Sequence, residues 1–200
     1  HRILVVNHQV VAVAERVPAH VVGDGENTIA ELVSLENQDE RRGNGHDNVL
    51  PQIQLDASTD EMLNRQGFTS NTVLASGQVA YLRATANLST GGTAIDRTDD
   101  IHPETVWLAE RVSRIVDLDI AGIDVITTDI SKPLGEADGA ILEVNAAPGL
   151  RMHLAPSEGV ARNVAAPILQ MLFPPGTPTR IPVVAVTGTN GKTTTTRLIA

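Results

Sequence analysis

The sequence predicts an α+β fold, an antiparallel sheet with flanking helices, followed by the first strand, glycine loop and helix of an α/β unit. Three observations predict it. Residues 3–6 and 10–16 are β-rich runs around the polar turn Asn7-His8-Gln9, which reads as a hairpin. A second pair of Ile-, Leu- and Val-rich runs, 122–126 and 141–149, is joined by the turn-forming segment 129–139. Helical signals lie between the two pairs, and after the proline-rich stretch 173–179 an apolar run leads into Gly188-Thr189-Asn190-Gly191-Lys192. The organisation expected is one unit over 1–172, a linker over 173–181 and the start of a second unit over 182–200.

In chain order, pairing about His8 brings Arg2 and Arg16 close together. They are either solvated strand-end arginines or a two-pronged clamp for carboxylate or phosphate, which guanidinium geometry suits. Residues 21–25 form a turn, and Asn27 or Thr28 caps a helix over about 29–36. The polar segment 37–48 is expected to be an exposed loop, its His46 a surface residue or a substrate contact. A short helix over 60–66 closes on Gly67, and 79–83 return to a strand carrying Arg83. The small, hydroxyl-rich run 85–96 then forms a glycine-containing loop. Its Ser89, Gly91 and Gly92 either make an ordinary turn or wrap an anion with backbone amides and hydroxyls. His102-Pro103-Glu104 opens a helix whose buried stripe is Val106, Ala109, Val112 and Val116, with Trp107 packing beside it. Arg151 or His153 can face a site formed by the second strand pair, and a helix over about 160–172 precedes the linker.

The acids of that second pair carry the chemistry. With the turn centred on Pro133 and Leu134, Asp124 falls opposite Glu143, and Asn145 projects to the same face because side chains alternate along a strand. Ile123, Val125, Leu142 and Val144 then bury the opposite face. Strand acids commonly face solvent, but these sit inside otherwise apolar runs. Two carboxylates and an amide oxygen are hard donors that suit Mg²⁺, which shares its coordination sphere with nucleotide phosphates.

At the other end of the chain, strand, glycine loop, Lys-Thr and helix make a P-loop arrangement. Gly188, Thr189, Asn190 and Gly191 offer backbone amides to phosphates, Lys192 reaches the terminal phosphates, and Thr193 or Thr194 meets Mg²⁺. The common spacing needs Gly at position 186, where this chain has Val186.

Composition narrows the partners. A net charge of −9 and a pI near 5.0 argue against nucleic acid and anionic membranes. Trp107, Tyr81, Phe68 and Phe173 are the only aromatics, too few for a base-stacking platform. With no cysteine, disulfides and thiolate metal sites are excluded, and a cytoplasmic setting is expected. No apolar run approaches bilayer length. The chain starts at His1 on a residue leading into a strand and stops at Ala200 within a helix, so it is expected to be a piece of a larger protein.

These motifs resemble known families. Ala-Gly-Ile-Asp-Val at 121–125 and Glu-Val-Asn-Ala-Ala-Pro-Gly at 143–149 are similar to the acidic and metal-binding strands of the ATP-grasp superfamily. Asn-Leu-x-x-Gly-Gly at 87–92, after Arg83, resembles the loop over the nucleotide phosphates in its peptide-ligase members. Gly-Thr-Asn-Gly-Lys-Thr-Thr at 188–194 is similar to the variant P-loop of the Mur ligases. The two in this order resemble the cyanophycin synthetase family along the whole chain, with 38–67 the least distinctive part.

That resemblance implies ATP and Mg²⁺ as cofactors and amide formation through acyl phosphates, with aspartate added to a cyanophycin primer or growing chain and arginine added to the new side chain. Asp124, Glu143 and Asn145 would be metal ligands, with Glu143 bridging two ions. Arg2, Arg16, Arg83 and Asn87 would handle phosphate and the chain's carboxylate. The intact protein is expected to be a homo-oligomer. Other ATP-grasp ligases, of glutathione- or glutamate-adding type, remain the alternative enzyme, and the isolated piece is expected to be inactive.

Overall fold

The structure is a computed structural model that describes residues 1–43, 48–180 and 183–199, so His46 lies outside the described residues. In chain order the elements are β1 (Arg2–Val6), β2 (Gln9–Val17), β3 (His20–Val22), α1 (Ile29–Glu36), β4 (Arg42–Gly43), β5 (Leu50–Pro51), α2 (Ala57–Arg65), β6 (Val79–Tyr81), β7 (Thr93–Asp96), α3 (Pro103–Ile115), β8 (Ile120–Ile126), β9 (Ala140–Asn145), α4 (Arg151–Leu154), α5 (Ala165–Leu172) and α6 (Lys192–Ile199). A short 3₁₀ turn, Leu88–Thr90, precedes β7.

The centre is a five-stranded sheet in the order β7-β2-β1-β8-β9 with every neighbouring pair antiparallel, as expected. β1 and β2 meet through Asn7 and His8, both at positive φ (49° and 60°), as a two-residue primed turn requires. One face buries Ile3, Val5, Val13, Ile123 and Val125 against α3. The other buries Leu4, Val6 and Ala12 with Val164, Ile168 and Met171 from the α5 region, and Ala14 and Ala94 with Met152 of α4. A separate aliphatic core, including Val21, Ile29, Leu63, Leu74 and Leu82, holds α1 and the β3–β6 pair together.

α1 begins where expected, because Thr28 and Glu31 form a reciprocal capping box. α2 starts three residues earlier than expected, since Asp56 supplies its cap and accepts hydrogen bonds from the Ser58 and Thr59 amides.

Other expectations are corrected. The loop expected over 85–96 ends in a strand: Thr93–Asp96 adds to the β2 edge, a tertiary pairing that small, hydroxyl-rich residues do not announce. The polar segment 37–48 includes β4, whose Arg42 is buried and donates to the carbonyls of Pro51 and Gly91. On α3 the fully buried residues are Thr105, Ala109 and Ser113, while Val116 is exposed beyond the helix end. The small side chains at 105, 109 and 113 let the helix lie close on the sheet, and Ser113 Oγ meets His8 Nδ1 at 3.0 Å. Trp107 is exposed rather than packed and carries the Arg111 guanidinium 5.1 Å from its ring centre.

The helix expected over 160–172 starts at Ala165 instead, because Pro167 has no amide for a helical bond and must stand in the first turn. The apolar run 183–187 is not a strand. A strand of that type is buried between neighbours, and no segment among the described residues pairs with it, so Val183 and Val184 are exposed.

Candidate functional site

The site grows from the β1–β8–β9 ladder. Asp124 pairs with Arg2 on one side and Glu143 on the other, and Asn145 lies opposite Gly122. Asp124 is buried, and both of its carboxylate oxygens are held: Arg2 Nε donates to Oδ1, Arg2 Nη2 to Oδ2 at 3.1 Å, and Arg16 Nη2 to Oδ2 at 3.0 Å. Burial alone would raise the carboxyl's pKa. The hydrogen bonds and charge of Arg2, the charge of Arg16 and a hydrogen bond with Glu143 outweigh it and hold the group below its ordinary value. Arg2 and Arg16 thus come together, as pairing about His8 predicts, and both bind the chain's own Asp124.

The register between β8 and β9 slips once. Asp124 faces Glu143 while Val125 faces Ile141, which leaves Leu142 as an extra residue. Consequently Leu142 does not enter the core, contrary to expectation. It is 63% exposed, and Ile141 packs inward in its place. Asn145 Nδ2 donates to Gly122 O at 3.3 Å and to Glu143 Oε1 at 3.0 Å, which keeps both side chains on one face.

A cavity of about 620 Å³ opens beside these groups, lined by Arg2, Arg16, Asn87, Asp124, Leu142 and Glu143 among others. A second hollow of about 440 Å³ adjoins it and shares His1, Glu15 and Thr127 with it. Among the described residues Arg16 Nε is buried with no hydrogen-bond partner, and Arg16 lines the cavity. Asn87 starts the 3₁₀ turn without a side-chain cap bond and is exposed, its carbonyl accepting from Thr90 and Gly92 instead.

The donor set fits Mg²⁺: an exposed Glu143 carboxylate, a buried Asp124 carboxylate across the ladder, and an Asn145 amide oriented through its nitrogen. Two ionised carboxylates facing each other on neighbouring strands, with nothing between them, would repel. A cation between them removes that cost. Among the described residues no group of three or more His, Cys, Asp or Glu side chains is placed to hold a metal ion, so the third donor here is the Asn145 amide.

Other expected site residues lie elsewhere. Arg83 is not on the cavity wall. Its guanidinium is buried against α2, donating to Asp56 Oδ1 (3.0 Å) and Oδ2 (2.9 Å), to Thr59 Oγ1 and to the carbonyls of Gln54 and Leu82. Its ordered contacts anchor the segment 84–87, which does line the cavity.

Ser89, Gly91 and Gly92 also stand off the cavity. Their glycines answer to packing. Gly91 is at φ 93° against Ile53, and a Cβ on Gly92 would lie 2.8 Å from the carbonyls of Asn87 and Val17. His153 is buried in α4 with neither ring nitrogen partnered among the described residues; burial, reinforced by the charge of Arg2, lowers its pKa to about 4.

Two contributors went unread in the sequence. Leu142 is expected in the core, and Gly122 is expected only to start the run 122–126. A Cβ at Gly122 would sit 2.5 Å from Pro148 Cβ and 3.1 Å from Arg2 Cδ, so glycine there opens the lane Arg2 crosses to reach Asp124. A glycine inside a strand was the available signal of such close approach.

The glycine loop near the C-terminus is exposed. Gly188 and Gly191 have positive φ (140° and 78°), and Lys192 Nζ folds back to Gly188 O at 2.6 Å and Thr189 O at 3.5 Å. Thr193 and Thr194 stand in the first turn of α6.

No protein-family model matches the chain. It is 64% identical to the cyanophycin synthetase of Crocosphaera subtropica, 66% to that of Synechocystis and 65% to that of Geminocystis herdmanii, in each case over all 200 residues. The chain spans 23% of the length of these relatives. It is 37% identical over 173 residues to the glutathione biosynthesis bifunctional protein of Clostridium perfringens, covering 86% of the chain and 22% of that protein. The crystal structure of a bifunctional glutathione synthetase from Pasteurella multocida superposes with a TM-score of 0.74 at 35% identity, covering 86% of this chain and 24% of that one.

Proposed function

As a segment belonging to the cyanophycin synthetase family, this chain, we propose, supplies the metal- and phosphate-handling part of an ATP-dependent ligase that builds cyanophycin from aspartate and arginine. The observation that carries the reading is the convergence of Asp124, Glu143 and Asn145 on one face of the β8–β9 pair, beside a cavity of about 620 Å³.

In this reading residues 1–172 are the C-terminal part of an ATP-grasp domain. Asp124, Glu143 and Asn145 would hold Mg²⁺, which when bound neutralises phosphate charge and polarises a phosphoryl oxygen. Arg2 and Arg16 offset the charge of Asp124. Arg16 also turns its Nε toward an anionic oxygen, and the exposed Asn87 amide hydrogen-bonds phosphate. Fixed donors of this kind stabilise the charge that develops as an acyl phosphate forms and an amine displaces phosphate. Leu142, with Pro18, Ala84 and Ala86 on the same wall, supplies an apolar surface suited to the face of a nucleotide base.

Beyond the linker, Gly188–Thr194 are proposed as a second phosphate loop, of Mur ligase type, serving arginine addition, with Lys192 leaving its own loop carbonyls for the phosphates. The test uses the intact protein supplied with ATP, Mg²⁺, aspartate, arginine and a short primer. Glu143→Ala stops aspartate incorporation and Lys192→Ala stops arginine incorporation. If each variant keeps the step assigned to it, the allocation of sites is overturned.

A further inference from the structure

Two buried guanidiniums outside the cavity of the site close on the same stretch of chain, residues 51–56. Arg42 Nη1 donates to Pro51 O at 3.1 Å and to Gly91 O at 3.3 Å. Arg83 donates to Gln54 O at 3.1 Å and to both carboxylate oxygens of Asp56. Their side chains are 5% and 10% exposed. Arg83 fixes one end of the arm 84–91, and Arg42 fixes the other.

The arm lines the cavity with Ala84, Thr85, Ala86 and Asn87. The Asn87 carbonyl accepts from the Thr90 amide (3.2 Å), the Thr90 hydroxyl (3.0 Å) and the Gly92 amide (3.1 Å), so Asn87 and the turn after it form one piece. That piece rests on Ile53, which Gly91 approaches so closely that a Cβ would lie 2.9 Å from Ile53 Cγ1. Both backbone groups of Ile53 are held in turn by the Asn37 side chain, at 2.8 and 2.9 Å. Residues 51–56 therefore make a shelf pinned between Asn37, which caps the end of α1, and Asp56, which caps the start of α2.

The carboxylate paired with Arg42, Glu36, stands 3.8 Å away on a side chain that is 53% exposed. A buried charge compensated so loosely is costly as core filling. It suits another task, because the directed N–H bonds of a planar guanidinium fix the separation of the two backbone segments that meet on it. We infer that Arg42 is a positioning residue: by tying the Gly91 carbonyl to the shelf it sets, together with Arg83, where Asn87 stands in the cavity. The consequence for catalysis rests on the phosphate role given to Asn87 above, whereas the tether rests on buried contacts alone.

The test uses the intact protein with Arg42→Met, Arg42→Lys, Asn87→Ala and the pair Arg42→Met with Asn87→Ala. Methionine keeps an apolar stem and removes both donated bonds. Hydrogen exchange of the fragment spanning 84–92 is expected to quicken about tenfold in Arg42→Met, with fragments from β1 and β2 unchanged. Its KM for ATP in aspartate incorporation is expected to rise about fivefold, since a small displacement of a positioned group is felt strongly at a site. Asn87→Ala alone is expected to raise that KM about tenfold. Adding Arg42→Met to it should raise KM further by less than about twofold, because residues that act through one contact do not add. An arginine that served only the fold would give no such coupling.

Arg42→Lys keeps the charge and one donor, so it is expected to fall between arginine and methionine in both readouts, and it decides the matter if the methionine variant does not fold. Unchanged exchange at 84–92 in the variant that folds, or a full effect of Arg42→Met in the Asn87→Ala background, overturns the proposal. Faster exchange in Arg42→Met with a KM untouched by Asn87→Ala upholds the tether and removes Asn87 from the phosphate role instead.

Discussion

Arg2 grips Asp124 through both carboxylate oxygens, from the position directly opposite it in the β1–β8 ladder. Both side chains are at least nine-tenths buried. Removing the carboxylate by Asp124→Ala leaves Arg2 charged and buried without its partner, and the expected loss is about 3–5 kcal/mol in urea unfolding. The Asp124 pKa is depressed in the fold, so its contribution is present above the ordinary carboxylate range. It is lost as pH falls through the lower folded value. Acid unfolding of Asp124→Ala is therefore expected to be shallower than that of the unsubstituted chain.

His153 sets a second pH dependence of the same direction in a different window. Unfolded, it titrates near 6.5; folded, burial holds it at about 4. Its stabilising contribution is complete above about 6.5 and is lost as pH falls toward 4, amounting to roughly 3 kcal/mol. His153→Leu removes the titration. Denaturant unfolding at a series of pH values is expected to show a flatter profile for that variant between 6.5 and 4.

Gly122 is expected to resist even the smallest side chain. Gly122→Ala drives a methyl group into Pro148 and the Arg2 stem. A cost of about 1–3 kcal/mol is expected in thermal or denaturant unfolding. Under the proposed function, loss of aspartate incorporation by the intact protein should follow, because Arg2 is displaced from Asp124.

Leu142 predicts the opposite combination. It is exposed, so Leu142→Ala should change stability by no more than about 0.5 kcal/mol. Under the proposed function it should weaken nucleotide binding to the intact protein about tenfold, read as a rise in KM for ATP with aspartate as acceptor. Unchanged KM would remove Leu142 from the base-binding surface.

The sequence made some of this plain and hid the rest for physical reasons. The two hairpins were legible because apolar alternation and turn residues act locally, and symmetric pairing about Pro133 and Leu134 was enough to set Asp124 opposite Glu143. The α1 cap was legible for the same reason.

Strand β7 was not, since its ladder depends on an edge of β2 nearly eighty residues away. Arg83 is expected at the site from the family resemblance alone, which does not show that its guanidinium meets Asp56, at a helix start three residues before the expected one. The glycines at 91 and 92 looked like a ligand loop, although the close neighbours that demand them are Ile53 and two backbone carbonyls. Leu142 could not be read at all from alternation, because a bulge is the place where alternation fails.

That bulge makes a pattern detectable by saturation mutagenesis. Toward the start of β9 the inward residue carries an odd number, Ile141, whereas past the extra residue it carries an even one, Val144. Tolerance to polar replacement should therefore change parity at position 142. Deleting Leu142 would take out the extra residue and restore plain alternation, with Ile141 and Val144 inward and the Glu143 carboxylate still turned to the cavity opposite Asp124.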